Sequence, residues 1–113
     1  MKMSGYEICK KVILRLGYSG KQEEYSTIRI LEFINQILTD LNIKTIESLE
    51  EKIVADTKTL DAVCCGTAML FALSESDGEK NALFTSLYNA KRSAILAKAS
   101  SVSDVLPIAE GEV

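Results

Sequence analysis

Three cysteines are the residues of this sequence whose type is best suited to chemistry. Cys9, Cys64 and Cys65 lie inside apolar segments and lack the Cys-x-x-Cys spacing of zinc or redox sites. Cys64 and Cys65 are adjacent, but a disulfide between neighbours is strained, and two small residues beside Gly66 suit close helix packing better. We therefore interpret the three thiols as structural residues of a reducing compartment.

Two pairs of adjacent carboxylates, Glu23/Glu24 and Glu50/Glu51, are the other candidates. Adjacent residues of a helix do not face each other, so we interpret both pairs as surface acids. The sequence has no histidine, which removes the most frequent general base and the commonest nitrogen ligand for metals. It also shows no phosphate-binding glycine loop. We expect no enzyme activity, no cofactor and no metal.

The apolar run over 60–73 must supply the core of the protein. After Asp61 its residues carry no formal charge, which is typical of a helix buried on all sides. A membrane span needs roughly 20 apolar residues, so we expect no membrane association. The N-terminus has no continuous apolar region and predicts no signal peptide. Proline occurs once, at position 107, and this favours a single all-α domain.

Two helices are predicted before the central one. Helix one is expected to start at a capping box formed by Ser4 and Glu7 and to end near Leu16, before Gly17. Helix two is predicted over 25–41, with an apolar surface wide enough to contact two neighbours. The residues predicted to face inward from helix one are Ile8, Cys9, Val12, Ile13 and Leu16; those from helix two include Ile28, Leu31, Ile34, Leu38 and Leu41.

The connection over 43–58 is predicted to hold a short helix around 46–52, followed by an extended stretch. We expect Thr57 or Thr59 to cap the central helix, which then ends near Ser74. Ser76 and Glu79 have the spacing of a second capping box, which predicts a tight turn into helix four.

Helix four is predicted over 78–99, with Leu83, Phe84, Leu87, Tyr88 and Ile95 facing inward. Beyond it the chain becomes Ser-rich, and then presents a short apolar cluster formed by Val105, Leu106 and Ile108. We interpret 100–113 as a C-terminal arm that is disordered or docked in an extended conformation on another surface. The sequence thus predicts an all-α fold, a bundle of four main helices with a buried central helix: a domain over 1–99 and an extended arm over 100–113.

The charge distribution gives the candidate interaction residues. Residues 1–22 carry five basic side chains against Glu7, whereas the rest of the chain has eight basic and fifteen acidic residues. Such a polarised molecule can orient a partner, although an isolated charged face is usually only solvated. The sequence lacks the rich basic patch of a sequence-specific DNA binder. The candidate interaction residues are Lys10, Lys11 and Arg15, together with Val105, Leu106 and Ile108 of the arm.

The order of these features resembles the head-tail connector, or adaptor, proteins of tailed bacteriophages and prophages. The resemblance rests on YSTIRILEFINQILTDLN, the connector SLEEKIVAD, the small-residue helix LDAVCCGTAMLFALSESDGEK and NALFTSLYNAKRSAIL, and covers roughly 25–98. It implies a non-enzymatic subunit that forms a ring between the portal protein and tail-completion components. The ring would belong to the virion, be assembled in the bacterial host cytoplasm, and make non-specific contact with passing DNA.

Two other classes of function stay open. The chain could be a small helical interaction module of a bacterial cytoplasm that binds one partner through a groove. A nucleic-acid-binding helical domain is the third hypothesis, and it rests only on the basic N-terminal region. A native mass measurement separates the first two hypotheses, because a ring and a one-to-one complex differ in mass.

Overall fold

A central helix organises the structure, a computed structural model that describes residues 1–18 and 26–105, with side chains as far as Lys98. The helices are α1 (Gly5–Leu16), α2 (Thr27–Asp40), α3 (Thr57–Ser74) and α4 (Gly78–Val105). Two strands, β1 (Lys2–Ser4) and β2 (Lys52–Val54), accompany them. Helix α3 contacts each of the other three helices. The predicted all-α fold with four main helices and a buried central helix is therefore confirmed.

Helix α1 forms as its sequence predicts. The Ser4 hydroxyl accepts a hydrogen bond from the Glu7 amide at 3.1 Å, and the Glu7 carboxylate accepts one from the Ser4 amide at 2.8 Å. These two bonds satisfy backbone donors that the first turn of a helix leaves free. Gly17 ends the helix with φ 73°, a left-handed conformation that glycine adopts without strain. All five side chains predicted to face inward are buried: Ile8, Cys9, Val12, Ile13 and Leu16.

The segment before α3 differs from the prediction, because it contains β2 and turns instead of a short helix over 46–52. Its backbone groups bond to the start of the chain. Strands β1 and β2 pair antiparallel with Met3 opposite Ile53, and the Tyr6 amide donates to the Leu49 carbonyl at 3.0 Å. A helix would need those groups for its own ladder. Gly5 permits the approach, since a Cβ there would lie 2.9 Å from the Leu49 Cα. The extended stretch predicted to follow is confirmed by β2 at its start, but α3 begins at Thr57, so its end is wrong.

Helix α2 contacts both α1 and α3, as its wide apolar surface predicts. The prediction is wrong at Ile28, which is 80% exposed in the first turn. The half-buried Asn35 holds the following connection in place. Its side-chain amide donates to the Ile46 carbonyl at 2.8 Å, and its oxygen accepts from the Ile46 amide at 2.9 Å. These two bonds satisfy the backbone amide and carbonyl of Ile46, which lies in a segment without helix or strand.

Helix α3 is buried on all sides over 62–68, but the predicted buried run over 60–73 is wrong at its end, where Leu73 is 63% exposed. Its cap is neither Thr57 nor Thr59: the Asp56 carboxylate accepts from the Thr59 amide at 2.7 Å, the stronger charge-assisted form of the bond. Gly66 permits close packing within the chain, because a Cβ there would lie 2.8 Å from Ile37 Cδ1 and 2.9 Å from the Tyr88 ring.

The turn into α4 is tight, but the predicted capping box of Ser76 and Glu79 is wrong. Ser76 adopts a left-handed conformation with φ 59° to reverse the chain. Asp77 then caps α4, its carboxylate accepting a hydrogen bond from the Lys80 amide at 3.2 Å. Ser76, which the sequence pattern predicts as the cap of α4, therefore reverses the chain instead, and the next residue caps the helix.

Helix α4 continues to Val105, so the prediction of an extended arm from residue 100 is wrong for 100–105; Leu106 and Ile108 lie outside the described residues. Phe84 and Tyr88 are buried, and Ile95 is half-buried against the core, as predicted. Leu83 and Leu87 were predicted to face inward, but they are 55% and 40% exposed. Fewer apolar side chains of α4 are buried against the rest of the fold than the sequence pattern of this helix predicts. Among the described residues, no helix combines the length and apolar character needed to cross a bilayer.

Candidate interaction groove

A groove of about 640 Å³ opens between the start of α3 and the second half of α4. Its volume lies in the range of pockets that bind small molecules or short chain segments. Both walls come from helices, so their side chains are held at fixed spacing. The lining residues are Asp56, Lys58, Thr59 and Asp61 from the α3 side, and Lys91, Ala94, Ile95 and Lys98 from α4.

The α4 wall follows directly from helical periodicity. Lys91, Ala94, Ile95 and Lys98 are separated by three, four and seven residues, and such residues share one face of a helix. Two ammonium groups therefore stand on either side of a short apolar floor. Helices α3 and α4 run antiparallel, since Asn81 near the start of α4 bonds to Met69 and Lys91 further along it bonds to Asp61. This course places the face over the start of α3.

An ion network closes one end of the groove. The Asp61 carboxylate lies 2.7 Å from Arg15 Nη2 and 2.7 Å from Lys91 Nζ, which joins α1, α3 and α4. Burial by itself would raise the pKa of Asp61, but the hydrogen bonds from Lys91 and Arg15 outweigh it and hold the pKa below its usual value of 3.8. Asp61 is therefore ionised at neutral pH, and its charge is neutralised within the protein.

The opposite end carries cations with less compensation. The Asp56 carboxylate is engaged in the α3 cap, and its hydrogen bond from the Thr59 backbone lowers its pKa, with smaller contributions from the nearby Lys98 and Lys58. Within the described part of the chain, neither Lys58 nor Lys98 has a hydrogen bond or a salt bridge. The groove thus offers an apolar floor and two available ammonium groups. This arrangement suits binding of an acidic, partly apolar segment.

The predicted interaction residues fall in different places. Lys10 and Lys11 are exposed on α1. Arg15 is turned toward the groove, where it binds Asp61 and also donates to Cys65 Sγ at 3.4 Å. Val105 is the last residue of α4, whereas Leu106 and Ile108 lie outside the described residues. Among the members of this set whose side chains the structure describes, Arg15 alone contacts a residue that lines the groove.

Sequence reasoning missed the lysines of the groove. The signal that could have found two of them is the seven-residue spacing of Lys91 and Lys98, which puts both on one helix face. Lys58 is distant in sequence, and only the packing of α3 against α4 brings it to the same groove.

Helix α4 also carries an exposed apolar stripe beside the groove. Its members are spaced by four, three, four and three residues, the repeat of helices that pack against another helix. We call the following residues the α4 stripe: Leu83, Leu87, Ala90, Ala94 and Ala97. All are exposed, and Ala94 belongs to both the stripe and the groove. None of the stripe residues belongs to the buried core of a single chain.

The three thiols lie in the core. Cys9, Cys64 and Cys65 are free and buried, and burial raises the pKa of Cys9 and of Cys64 to about 11. A thiol with such a pKa is almost wholly protonated at neutral pH, and the protonated form is a poor nucleophile and metal ligand. This environment favours the structural interpretation of the cysteines.

Fold and groove together define a small helical protein with a minor two-stranded sheet and a groove between α3 and α4. The chain matches no protein-family profile, no curated protein and no solved structure.

Proposed function

We propose that this protein is a head-tail connector subunit of a tailed bacteriophage or prophage, a non-enzymatic protein that forms a ring between portal and tail. Its partners are other copies of the chain, the portal protein and tail-completion components. In this proposal, it acts at the head-tail junction of the virion after assembly in the host cytoplasm.

The order of elements supports this proposal. The resemblance depends on an aliphatic helix, a charged connector, a small-residue helix, a short turn and a final helix with an aromatic pair. These correspond to α2, the connection with β2, α3, the turn at Asp77 and α4 with Phe84 and Tyr88. Since the two aromatic residues pack into the core, they account for the fold, and the function must rest on other surfaces.

The observation that carries the proposal is the α4 stripe. Helix α4 has 28 residues, about 42 Å, whereas α3 has 18 residues, about 27 Å. An exposed stripe with helix-packing periodicity on the longest helix is typical of a surface that another chain covers. We assign that surface to a neighbouring copy.

Other exposed apolar side chains provide the second surface that a ring requires. Subunits of a ring meet through two different patches, because one patch of each copy contacts the other patch of the next copy. Leu14 on α1 and Ile28 on α2 are 72% and 80% exposed, and neither belongs to α4. The molecule therefore exposes apolar side chains on α1 and α2 as well as on α4, and we assign the second patch of a head-to-tail contact to them.

Native mass spectrometry of the full chain, alone and with the portal protein encoded by the same phage or prophage, tests the proposal. We expect a defined high-order oligomer on the portal, or in the protein alone at high concentration. A monomer or dimer that ignores the portal and binds a different protein one to one would support the alternative, the small interaction module. The groove favours that second hypothesis, because its volume suits one short segment of a partner.

The exposed lysines of α1 define a sharper test of partner choice. We propose that Lys10 and Lys11 contact the portal or a neighbouring subunit, since a chain of net charge −3 binds free DNA poorly. Lys10→Glu/Lys11→Glu should weaken co-sedimentation with the portal in the absence of DNA, whereas Lys2→Glu/Lys44→Glu, with the same charge change at other exposed sites, should not. Tight, salt-sensitive binding of the isolated wild-type protein to DNA would favour a role along the DNA channel instead.

A further inference from the structure

The charge and the apolar floor of the groove define the kind of peptide segment that it binds best. Asp61 is neutralised by Arg15 and Lys91, and Asp56 is engaged in capping α3. Four cationic side chains, Arg15 included, face these two carboxylates, so the groove has an excess of positive charge; Ala94 and Ile95 form its floor. A complementary segment must combine aliphatic side chains with nearby carboxylates.

The chain itself contains such a segment in the residues that follow α4. Residues 106–113 read LPIAEGEV, with Leu106 and Ile108 next to Glu110 and Glu112, and they contain no basic residue. Their aliphatic side chains suit the apolar floor of the groove, and their two carboxylates equal Lys58 and Lys98 in number and are opposite to them in charge. The protein thus has an acidic, partly apolar segment in its sequence and a basic groove of suitable volume in its fold.

We propose that the groove of one copy binds residues 106–113 of a second copy. This inference rests on the proposed function in one respect, since it specifies how neighbouring subunits are linked. It assigns Lys58 and Lys98 to the two glutamates, and Ala94 and Ile95 to Leu106 and Ile108.

The direction of α4 favours the segment of a second copy, and not the segment of the same chain, as the occupant of the groove. The helix continues for seven residues after Lys98, about 10 Å along its axis, and so carries the chain away from the groove. To fill its own groove, the segment would have to turn back at once along α4. A neighbouring copy can present the segment without that reversal.

The position of the groove beside the α4 stripe supports the same assignment. Ala94 belongs to both surfaces, so a copy that covers the stripe also approaches the groove. Each copy then has one groove to accept a segment and one segment to donate. Such a contact is head-to-tail, and it closes into a ring or continues as an open chain.

Peptide binding tests the groove. The receptor is the full chain with Glu110→Lys/Glu112→Lys, whose groove is unchanged and whose own segment no longer matches it. The probe is a fluorescent synthetic peptide of residues 104–113, followed by anisotropy. We expect saturable binding with Kd below about 1 mM that weakens about tenfold in Lys58→Glu/Lys98→Glu.

Two further variants in the same receptor control for misfolding and for general charge effects. Lys58→Gln/Lys98→Gln removes the charges without reversing them, and should weaken binding by less than the reversal does. Lys2→Glu/Lys44→Glu changes exposed lysines outside the groove and should alter Kd by less than about twofold. Absence of saturable binding at 1 mM, or equal weakening by the control pair, overturns the proposal.

A mixing experiment separates the two possible sources of the segment. The groove variant Lys58→Glu/Lys98→Glu and the segment variant Glu110→Lys/Glu112→Lys should each associate more weakly than wild type by sedimentation velocity. An equimolar mixture should restore association, because each groove then meets a complementary segment on the other chain. Docking within one chain predicts no rescue on mixing, and that result overturns the proposal.

The outcome is distinguishable from failure of the proposed function. If the peptide does not bind while the wild-type chain still forms a ring on the portal, only the linkage proposed here is wrong. If the peptide binds and mixing restores association, but the portal recruits no oligomer, the linkage stands and the connector function fails.

Discussion

Helix α3 and the second half of α4 are both rich in small apolar residues, yet they have opposite surroundings. Over 62–68 every residue of α3 is buried, and Gly66 is close enough to Ile37 and Tyr88 that a Cβ would collide with both. On α4, Ala90, Ala94 and Ala97 are exposed. Alanine composition therefore does not distinguish the two regions; the position of each side chain around its helix does.

This difference in exposure distinguishes apolar surface that stabilises a single chain from apolar surface that can be buried only by contact with a second chain. Burial of apolar surface on α3 contributes roughly 25 cal/mol per Å², and all of it is available to a single copy. The α4 stripe gains that contribution only when a second chain covers it. Substitutions in α3 should thus alter unfolding, whereas those in the stripe should alter assembly.

The largest effect is expected at Phe71, which is 2% exposed on α3. Phe71→Asp should abolish folding, because an unpaired charge in an apolar core costs several kcal/mol, about the whole stability of a small domain. Circular dichroism during thermal unfolding checks this. Leu73→Asp is the matched control, since Leu73 lies two residues away and is 63% exposed; it should keep a cooperative transition. A helical, cooperative Phe71→Asp protein would refute the buried position of α3.

A smaller effect is expected at the close contact of α3 with α2 and α4. Gly66→Ala brings a Cβ within 2.9 Å of the Tyr88 ring, which is held by the hydrogen bond that its hydroxyl donates to Asp40 at 2.6 Å. Overpacking of this kind costs about 1–3 kcal/mol, and the higher helix propensity of alanine returns up to about 1 kcal/mol. We expect a net loss of about 1–2 kcal/mol in urea unfolding.

Gly78→Ala provides the control for that measurement. Gly78 is the first residue of α4 and has no atom within 4 Å of a Cβ built on it. Its replacement should leave the unfolding free energy unchanged or slightly raised. Equal destabilisation by both substitutions would show that the tight contact at Gly66 is not the cause.

The smallest effect is expected in the ion network. Arg15, Asp61 and Lys91 have side chains 34%, 33% and 37% exposed, so solvent screens their attraction and Asp61→Asn should cost about 1 kcal/mol or less at pH 7. Because folding lowers the pKa of Asp61, its contribution is complete above the ordinary value of 3.8 and is lost as the pH falls through the folded value. Urea unfolding should therefore show wild type and variant converging below pH 3.8. A difference that stays constant with pH contradicts this assignment.

Much of the fold could be predicted from the sequence, because helix caps and buried helices leave their signals in neighbouring residues. The capping box of Ser4 and Glu7 and the uncharged run of α3 need no knowledge of the rest of the chain, and both are confirmed. Strand β2 was missed because its partner, β1, is about fifty residues earlier, so the pairing leaves no local signal.

The groove was missed for the same physical reason. The predicted basic residues were those close together in sequence, whereas Lys58 joins Lys91 and Lys98 only when α3 packs against α4. On α4 the apolar residues Leu83, Phe84, Leu87 and Tyr88 do not reveal which pair faces the core, since both pairs have helical spacing. Tertiary packing buries Phe84 and Tyr88 and leaves the leucines for the stripe.

The central claim is that the α4 stripe serves assembly and not stability. Leu83→Glu/Leu87→Glu tests it, with Asn89→Glu/Ser93→Glu as the control that adds the same charge at exposed positions of α4 outside the stripe. Native mass with the portal protein and thermal unfolding are measured on the same samples. We expect the leucine variant to keep the wild-type melting temperature within about 3 °C and to lose the high-order oligomer, while the control keeps both. A leucine variant that assembles like wild type, or that unfolds at a much lower temperature, would contradict it.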